Sequence, residues 1–208
     1  MESLDGCDLR SFMARQNHEG RRIEIAHSIY IMIECCRALD HAQFPNHPDT
    51  GKPSRIPHRD VSPPNILISN TGEVRLGEFT FTRRKGFLKG QFSYLSPEAA
   101  SGLECDRRSE VFALGVILWE MLTGQGLFWA ETDYRTVELV RAARVPSIAT
   151  VTPDVDAELE AVVRKALAKN PDDRYESATD LGDVLAHYLF SHRLNVSKRD
   201  IANLLRAE

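Results

Sequence analysis

Eight consecutive residues, His58-Arg59-Asp60-Val61-Ser62-Pro63-Pro64-Asn65, concentrate the groups most able to do chemistry. They supply a carboxylate, a ring that can act as a base, a guanidinium and an amide. These are the side chains that take up protons, hold anions and ligate cations. Pro63 and Pro64 lack an N–H, and each proline restricts the residue before it, which predicts a loop rather than a helix between Asp60 and Asn65. The loop runs directly into Ile66-Leu67-Ile68, a short apolar run of strand type.

His-Arg-Asp alone is a weak signal, and the asparagine five residues after the aspartate strengthens it. Glu78-Phe79-Thr80 follows through Val74-Arg75-Leu76, then Glu98 in Tyr94-Leu95-Ser96-Pro97-Glu98. Glu110 opens the apolar run Val111–Leu122, and Asn170-Pro171-Asp172-Asp173-Arg174-Tyr175 stands near the end. In this order and spacing the set resembles the large lobe of a serine/threonine protein kinase, over roughly residues 1–190. The wording of the catalytic loop is closest to bacterial members.

The resemblance implies a mainly α fold, a helical large lobe with one or two short β-hairpins, over residues 1–190. Residues 191–208 are expected to form a tail with a short amphipathic helix carrying Ile201, Leu204 and Leu205. It implies ATP and Mg2+ as cofactors and a protein as substrate or partner. By resemblance, Asp60 accepts or orients the proton of a substrate hydroxyl, and Asn65 and Glu78 hold the metal. Leu67 forms the floor of the adenine pocket; without the resemblance it reads as an ordinary core leucine. His58 and Phe79 pack as supports, and Glu110 opens the central helix. Arg59, with the basic set Arg83, Arg84, Lys85 and Lys89, reads a phosphate on Thr80, Thr82 or Ser93. The plainer reading of the basic set is a solvated loop. Glu98 and Arg174 form an internal ion pair.

The departures from the family pattern are equally specific. The metal-binding Asp is Glu78, and the Gly after Phe79 is Thr80. The Asp that opens the central helix is Glu110. The Lys two positions after the catalytic Asp is Ser62, and the Thr after Gly90 is Gln91. A methylene moves a carboxylate by ~1.5 Å, whereas magnesium wants oxygens at about 2.0–2.1 Å in a near-octahedral array. Loss of the lysine removes a positive charge from the transferring phosphate. Met1-Glu2 falls where the hinge between lobes belongs, and neither a Gly-rich loop nor a strand lysine occurs in the sequence. These features predict that the chain alone transfers phosphate poorly and acts as a binding or regulatory module, a pseudokinase. The alternative is an active serine/threonine kinase whose N-terminal lobe either lies outside the given sequence or is supplied by another chain.

The elements that must position these residues follow from periodicity. Asp8 caps a short helix with Leu9, Phe12 and Met13 on one face, after an extended lead that Gly6 breaks. A long amphipathic helix spans about 22–41. Residues 44–57 form a loop. Strands 66–68 and 73–76 pair as a hairpin around Ser69-Asn70-Thr71-Gly72. A helix at 109–123, apolar nearly all round, runs through the centre and ends at Gly124. Helices at about 132–143, 155–169 and 177–190 follow, the second capped by Asp156.

The whole has 208 residues and a net charge of −4, enough for one core and without the basic excess of a nucleic-acid binder. The four cysteines, 7, 35, 36 and 105, show neither paired-ligand spacing nor a disulfide framework, which fits a reducing, cytoplasmic setting and argues against zinc. The N-terminus has no apolar signal segment, and the longest apolar run is too short to span a bilayer.

Overall fold

The computed structural model of the chain describes residues 5–42, 58, 60–77 and 91–206. Among the described residues the fold is mainly helical, with one small antiparallel sheet. The hairpin forms where expected, between β2 (Ile66–Ser69) and β3 (Val74–Leu76), with Ile66 opposite Leu76 and Ile68 opposite Val74. Ile66 and Ile68 are fully buried, while Leu67 faces the other side of the sheet and is half-buried. That alternation is the period of a strand with one face on the core. The turn closes with the Gly72 N–H on the Ser69 carbonyl at 2.8 Å, and Gly72 takes a left-handed φ of 81°.

A third strand corrects the reading of Gly6 as a break. β1 (Gly6–Asp8) pairs antiparallel with β2, setting Gly6 opposite Ser69 and Cys7 opposite Ile68. A Cβ built on Gly6 would lie 2.1 Å from the Ile68 carbonyl oxygen, so glycine permits the two backbones to meet. The partner strand lies far away in sequence, and no local pattern announces it.

α1 (Leu9–His18) starts on its expected cap: the Asp8 carboxylate accepts the Ser11 N–H at 2.9 Å. α2 (Ile25–Ala42) begins later than its apolar pattern, and Ile23 is buried ahead of it. The loop reading of Pro63 and Pro64 also needs correction. Pro63–Asn65 form one 3₁₀ turn, with the Asn65 N–H on the Ser62 carbonyl at 2.9 Å. Proline is excluded from a helix interior, but at the first positions its missing N–H has no partner to lose.

After α3 (Pro97–Ala100) comes the central helix α4 (Arg107–Thr123), buried at every residue from Glu110 to Thr123. Gly124 ends it in a left-handed conformation, φ 68°. α5 (Asp133–Ala142), α6 (Ala157–Ala166) and α7 (Ala178–Ser191) follow it. Asp156 caps α6 as expected, its carboxylate 2.8 Å from the Leu159 N–H. α7 lies along α2, close enough that a Cβ on Gly182 would come within 3.0 Å of Cys36 Cβ.

The expected amphipathic helix of the tail is α8 (Lys198–Arg206), and it folds back onto the hairpin. Ile201, Ala202 and Leu205 are buried. Lys198 Nζ meets Glu73 Oε1 at 2.7 Å, and Arg206 donates to the Asn70 carbonyl at 3.1 Å. A Cβ on Gly72 would lie 1.8 Å from the Lys198 carbonyl, so this turn and α8 touch backbone to backbone. All four cysteines are free. Among the described residues no helix is long and apolar enough to cross a membrane.

Candidate functional site

The site is built upward from α4. Glu110 sits in its first turn, buried, and its Oε1 accepts the backbone N–H of His58. This contact anchors the start of the polar loop to the most buried helix of the fold. The His58 ring is buried too, with Nε2 3.1 Å from the Gly77 carbonyl. A carbonyl only accepts, which places the ring proton on Nε2. Burial lowers the His58 pKa from its ordinary value, and Gly77 and Asp60 oppose that shift. The Gly77 N–H in turn reaches the Asn65 carbonyl at 2.6 Å. The loop and the exit of β3 are thus tied at both ends.

Asn65 closes the loop from inside. Its Nδ2 donates to the Asp60 carbonyl at 2.8 Å, so the aspartate and the asparagine share one turn of backbone. Gln91, beyond the hairpin, reaches across and donates from Nε2 to Asp60 Oδ1 at 3.3 Å. Asp60 and Gln91 stand on the wall of a cavity of about 310 Å³. Ser62 and Ala113, both buried, and Leu103 and Cys105, both exposed, also line it. The Ser62 hydroxyl is buried and has no hydrogen-bond partner among the described residues. Neither lysine nor arginine is among the described residues lining this cavity.

Ser96 and Ala99 form another part of the wall, and an ion pair fixes them. Ser96 caps α3, and within α3 Glu98 meets Arg174 through two 2.8 Å contacts. Arg174 also donates to the carbonyls of Ala168, Arg108 and Lys169, and its guanidinium lies 4.8 Å from the Phe112 ring centre. Burial by itself would raise the Glu98 pKa. The hydrogen bonds from Arg174 and from Ser109 (2.6 Å) outweigh it and hold the carboxyl at about 2.

A second carboxylate, Glu120, lies near the far end of α4. Tyr94 donates to it at 2.8 Å and the Leu127 N–H at 3.1 Å. Burial dominates here and pushes its pKa up to about 6 against those two bonds and the nearby Arg10.

Three comparisons bear on this arrangement. The sequence model of the protein kinase domain matches residues 1–190. The chain belongs to the protein kinase family. It is 32% identical over 201 residues to the tyrosine-protein kinase MasK of Myxococcus xanthus, covering 92% of this chain and 31% of that protein. It is 35% identical over 192 residues to the serine/threonine-protein kinase PknB of Mycolicibacterium smegmatis, covering 87% of this chain and 28% of the relative. The chain therefore spans less than a third of the length of these curated relatives. Among solved structures, a double mutant of the PknI kinase domain of Mycobacterium tuberculosis superposes with a TM-score of 0.65 at 23% identity. The match covers 90% of this chain and 63% of that one, and at that identity shows the fold alone.

Set against this kinase-like fold, the expected site residues divide clearly. Asp60, Asn65, His58 and Glu110 come together, and Glu98 meets Arg174. Arg59, Glu78, Phe79, Thr80 and Thr82 lie outside the described residues, as do Arg83, Arg84, Lys85 and Lys89. Ser93 is buried, so a phosphate there requires its 3₁₀ turn, Gln91–Tyr94, to open. Two residues with chemistry are not announced by the motifs. Gln91 registers in the sequence only as a departure, with no hint that its amide reaches Asp60. Glu120 is hidden inside an apolar run, although a carboxylate at that place among buried neighbours is itself a signal.

Proposed function

We propose that this chain is a kinase-like binding module that receives hydroxyl-bearing protein segments at Asp60 and, by itself, transfers phosphate poorly. The observation that carries the proposal is the surroundings of Asp60. Its Oδ1 accepts from a neutral amide, Gln91, and the cavity beside it contains neutral Ser62 and no cation among the described lining residues. Phosphoryl transfer depends on positive groups that offset the charge of the moving phosphate. A lining without them among the described residues suits a neutral hydroxyl better than a phosphate.

In this reading Asp60 orients the acceptor hydroxyl and takes its proton, and His58 and Glu110 hold the loop that presents it. Asn65 fits a metal-facing role. Its amide nitrogen is committed to Asp60, which leaves the oxygen as the atom that can ligate a cation. Glu78 and Arg59 keep their proposed roles toward metal and phosphate, and Leu67 keeps its role under adenine. Bound ATP with magnesium supplies the phosphoryl group; the residues of this chain orient the acceptor. Both a tyrosine-protein kinase and a serine/threonine-protein kinase stand among its relatives, so their names leave the acceptor hydroxyl open. Four free cysteines support placing the module in the cytoplasm.

The test pairs peptide binding with transfer of radiolabelled phosphate from ATP, with and without magnesium. The expected result is measurable peptide binding, a small or absent nucleotide-dependent thermal shift, and substoichiometric phosphate incorporation that rises in Ser62→Lys. Stoichiometric, ATP-dependent phosphorylation by the purified chain defeats the proposal. That result selects the second reading, a transfer-competent kinase, which the intact contacts among His58, Asp60, Asn65 and Glu110 favour.

A further inference from the structure

We propose that the turn Gln91–Tyr94 is a proton-operated brace: ionised Glu120 grips Tyr94 and so keeps Gln91 on Asp60, and protonation of Glu120 loosens both contacts. The brace is independent of whether the chain transfers phosphate or only binds.

Gln91 and Tyr94 open and close a single 3₁₀ turn. At one end Gln91 Nε2 donates to Asp60 Oδ1 at 3.3 Å, and at the other the Tyr94 hydroxyl donates to Glu120 Oε2 at 2.8 Å. The turn is strung between two carboxylates, one on the polar loop and one on the central helix α4. A 3₁₀ turn rises only ~2 Å per residue, so its two ends move together. Tyr94 also lines two cavities, the one of about 310 Å³ beside Asp60 and another of about 380 Å³ beside Glu120. A shift of its side chain therefore changes both.

Glu120 is built to take up a proton. It is 5% exposed, and its hydrogen-bond partners among the described residues are both neutral, the Tyr94 hydroxyl and the Leu127 N–H. Burying a carboxylate without a cationic partner favours the acid form. Glu98 is the contrast: it is buried as well, but Arg174 keeps it ionised. The charged groups around Glu120 stand further off. Arg10 of α1, which is exposed, and Asp133 of α5 line the cavity of about 380 Å³ with it. Arg22 lines a small hollow that Glu120 also borders, and it donates to Thr152 at 3.3 Å.

Burial pushes the Glu120 pKa up to about 6, while the bonds from Tyr94 and Leu127 and the charge of Arg10 pull it down. A bond that lowers a carboxyl pKa is, by linkage, stronger to the carboxylate than to the acid. Protonation thus relieves a buried charge and weakens the hold on Tyr94 in the same step. Hydrogen bonds to an ionised group are roughly twice as strong as neutral ones.

The experiment uses the full chain, followed by nuclear magnetic resonance from about pH 5 to about pH 7.5, a window that brackets the folded Glu120 value. The Leu95 N–H closes the turn on the Phe92 carbonyl at 3.3 Å, so its exchange protection, corrected for the intrinsic effect of pH, reports how firmly the turn is held. That protection should fall about fivefold as Glu120 takes up its proton, the factor that separates a charge-assisted from a neutral hydrogen bond. The Gln91 side-chain amide resonance should move with the same midpoint. Glu120→Gln should abolish both transitions and fix Leu95 at its low-pH protection. In Tyr94→Phe the Glu120 carboxyl carbon should still titrate, with a higher midpoint, while Gln91 no longer follows it. Arg10→Gln should also raise the midpoint. The ionisable groups at the other end of the turn are Asp60 and His58, so a Gln91 transition that survives Glu120→Gln belongs to them and overturns the proposal. Leu95 protection that stays flat while Glu120 titrates overturns it too, as does a Gln91 transition unchanged in Tyr94→Phe.

Discussion

Replacing Arg174 by methionine should be among the most destabilising single changes in the described structure. The Arg174 side chain has 0% exposure and that of Glu98 has 9%. Arg174 gives two hydrogen bonds to the carboxylate and three to backbone carbonyls. Methionine preserves much of the volume but leaves Glu98 as a buried charge with Ser109 as its remaining side-chain donor. Stranding one member of a buried pair costs about 3–5 kcal/mol. Glu98→Gln should cost less, about 1–3 kcal/mol, because Arg174 keeps its carbonyl acceptors. Urea unfolding at neutral pH, with equal slopes checked across variants, measures both. A second signature is pH. The Glu98 carboxyl is held at about 2 against an ordinary 4.5. Its folded pKa is depressed, so its contribution is complete above the unfolded value and disappears as pH falls through the folded one. The stability gap between the native chain and Glu98→Gln should therefore shrink between about pH 5 and pH 2. An Arg174→Met chain within about 1 kcal/mol of the native one, the worth of an exposed pair, refutes the reasoning. So does a gap that stays flat with pH.

Three further outcomes are expected. Glu120 titrates at about 6 because burial raises it, so its contribution is complete below its unfolded value and is lost as pH rises through 6. Glu120→Gln should thus gain up to about 2 kcal/mol on the native chain at alkaline pH relative to acid pH; a gain that does not vary with pH contradicts this. Gly72→Ala places a Cβ against the Lys198 carbonyl at a left-handed φ, so it should cost at least about 1 kcal/mol and speed tryptic cleavage at Lys198 and Arg199. Unchanged cleavage would mean that α8 tolerates the turn moving. Glu110→Ala removes the acceptor of the His58 N–H, which should cost about 1–3 kcal/mol and appear as faster hydrogen exchange at His58.

The sequence by itself determined the local elements and the family. Helices α1, α4, α6 and α7 carry their starts and stops in single residues: Asp8, Gly124, Asp156, Ser177. The hairpin is legible because alternation and a glycine turn lie within eleven residues of one another. Short-range rules of capping and twist act on neighbours, and neighbours are what a sequence displays. Even Glu98 with Arg174 could be paired, because the family pattern carries both ends.

What only the tertiary structure decided are the contacts made across sequence distance. β1 joins the sheet because Gly6 lets its backbone meet Ile68, and α8 seats on the hairpin because Gly72 lets two backbones touch. Gln91 reaches Asp60, and the Ser62 hydroxyl is buried without a partner among the described residues, through packing that no single segment encodes. Such contacts depend on loop closure and on which surfaces remain after the helices have packed, and those are properties of the folded chain as a whole.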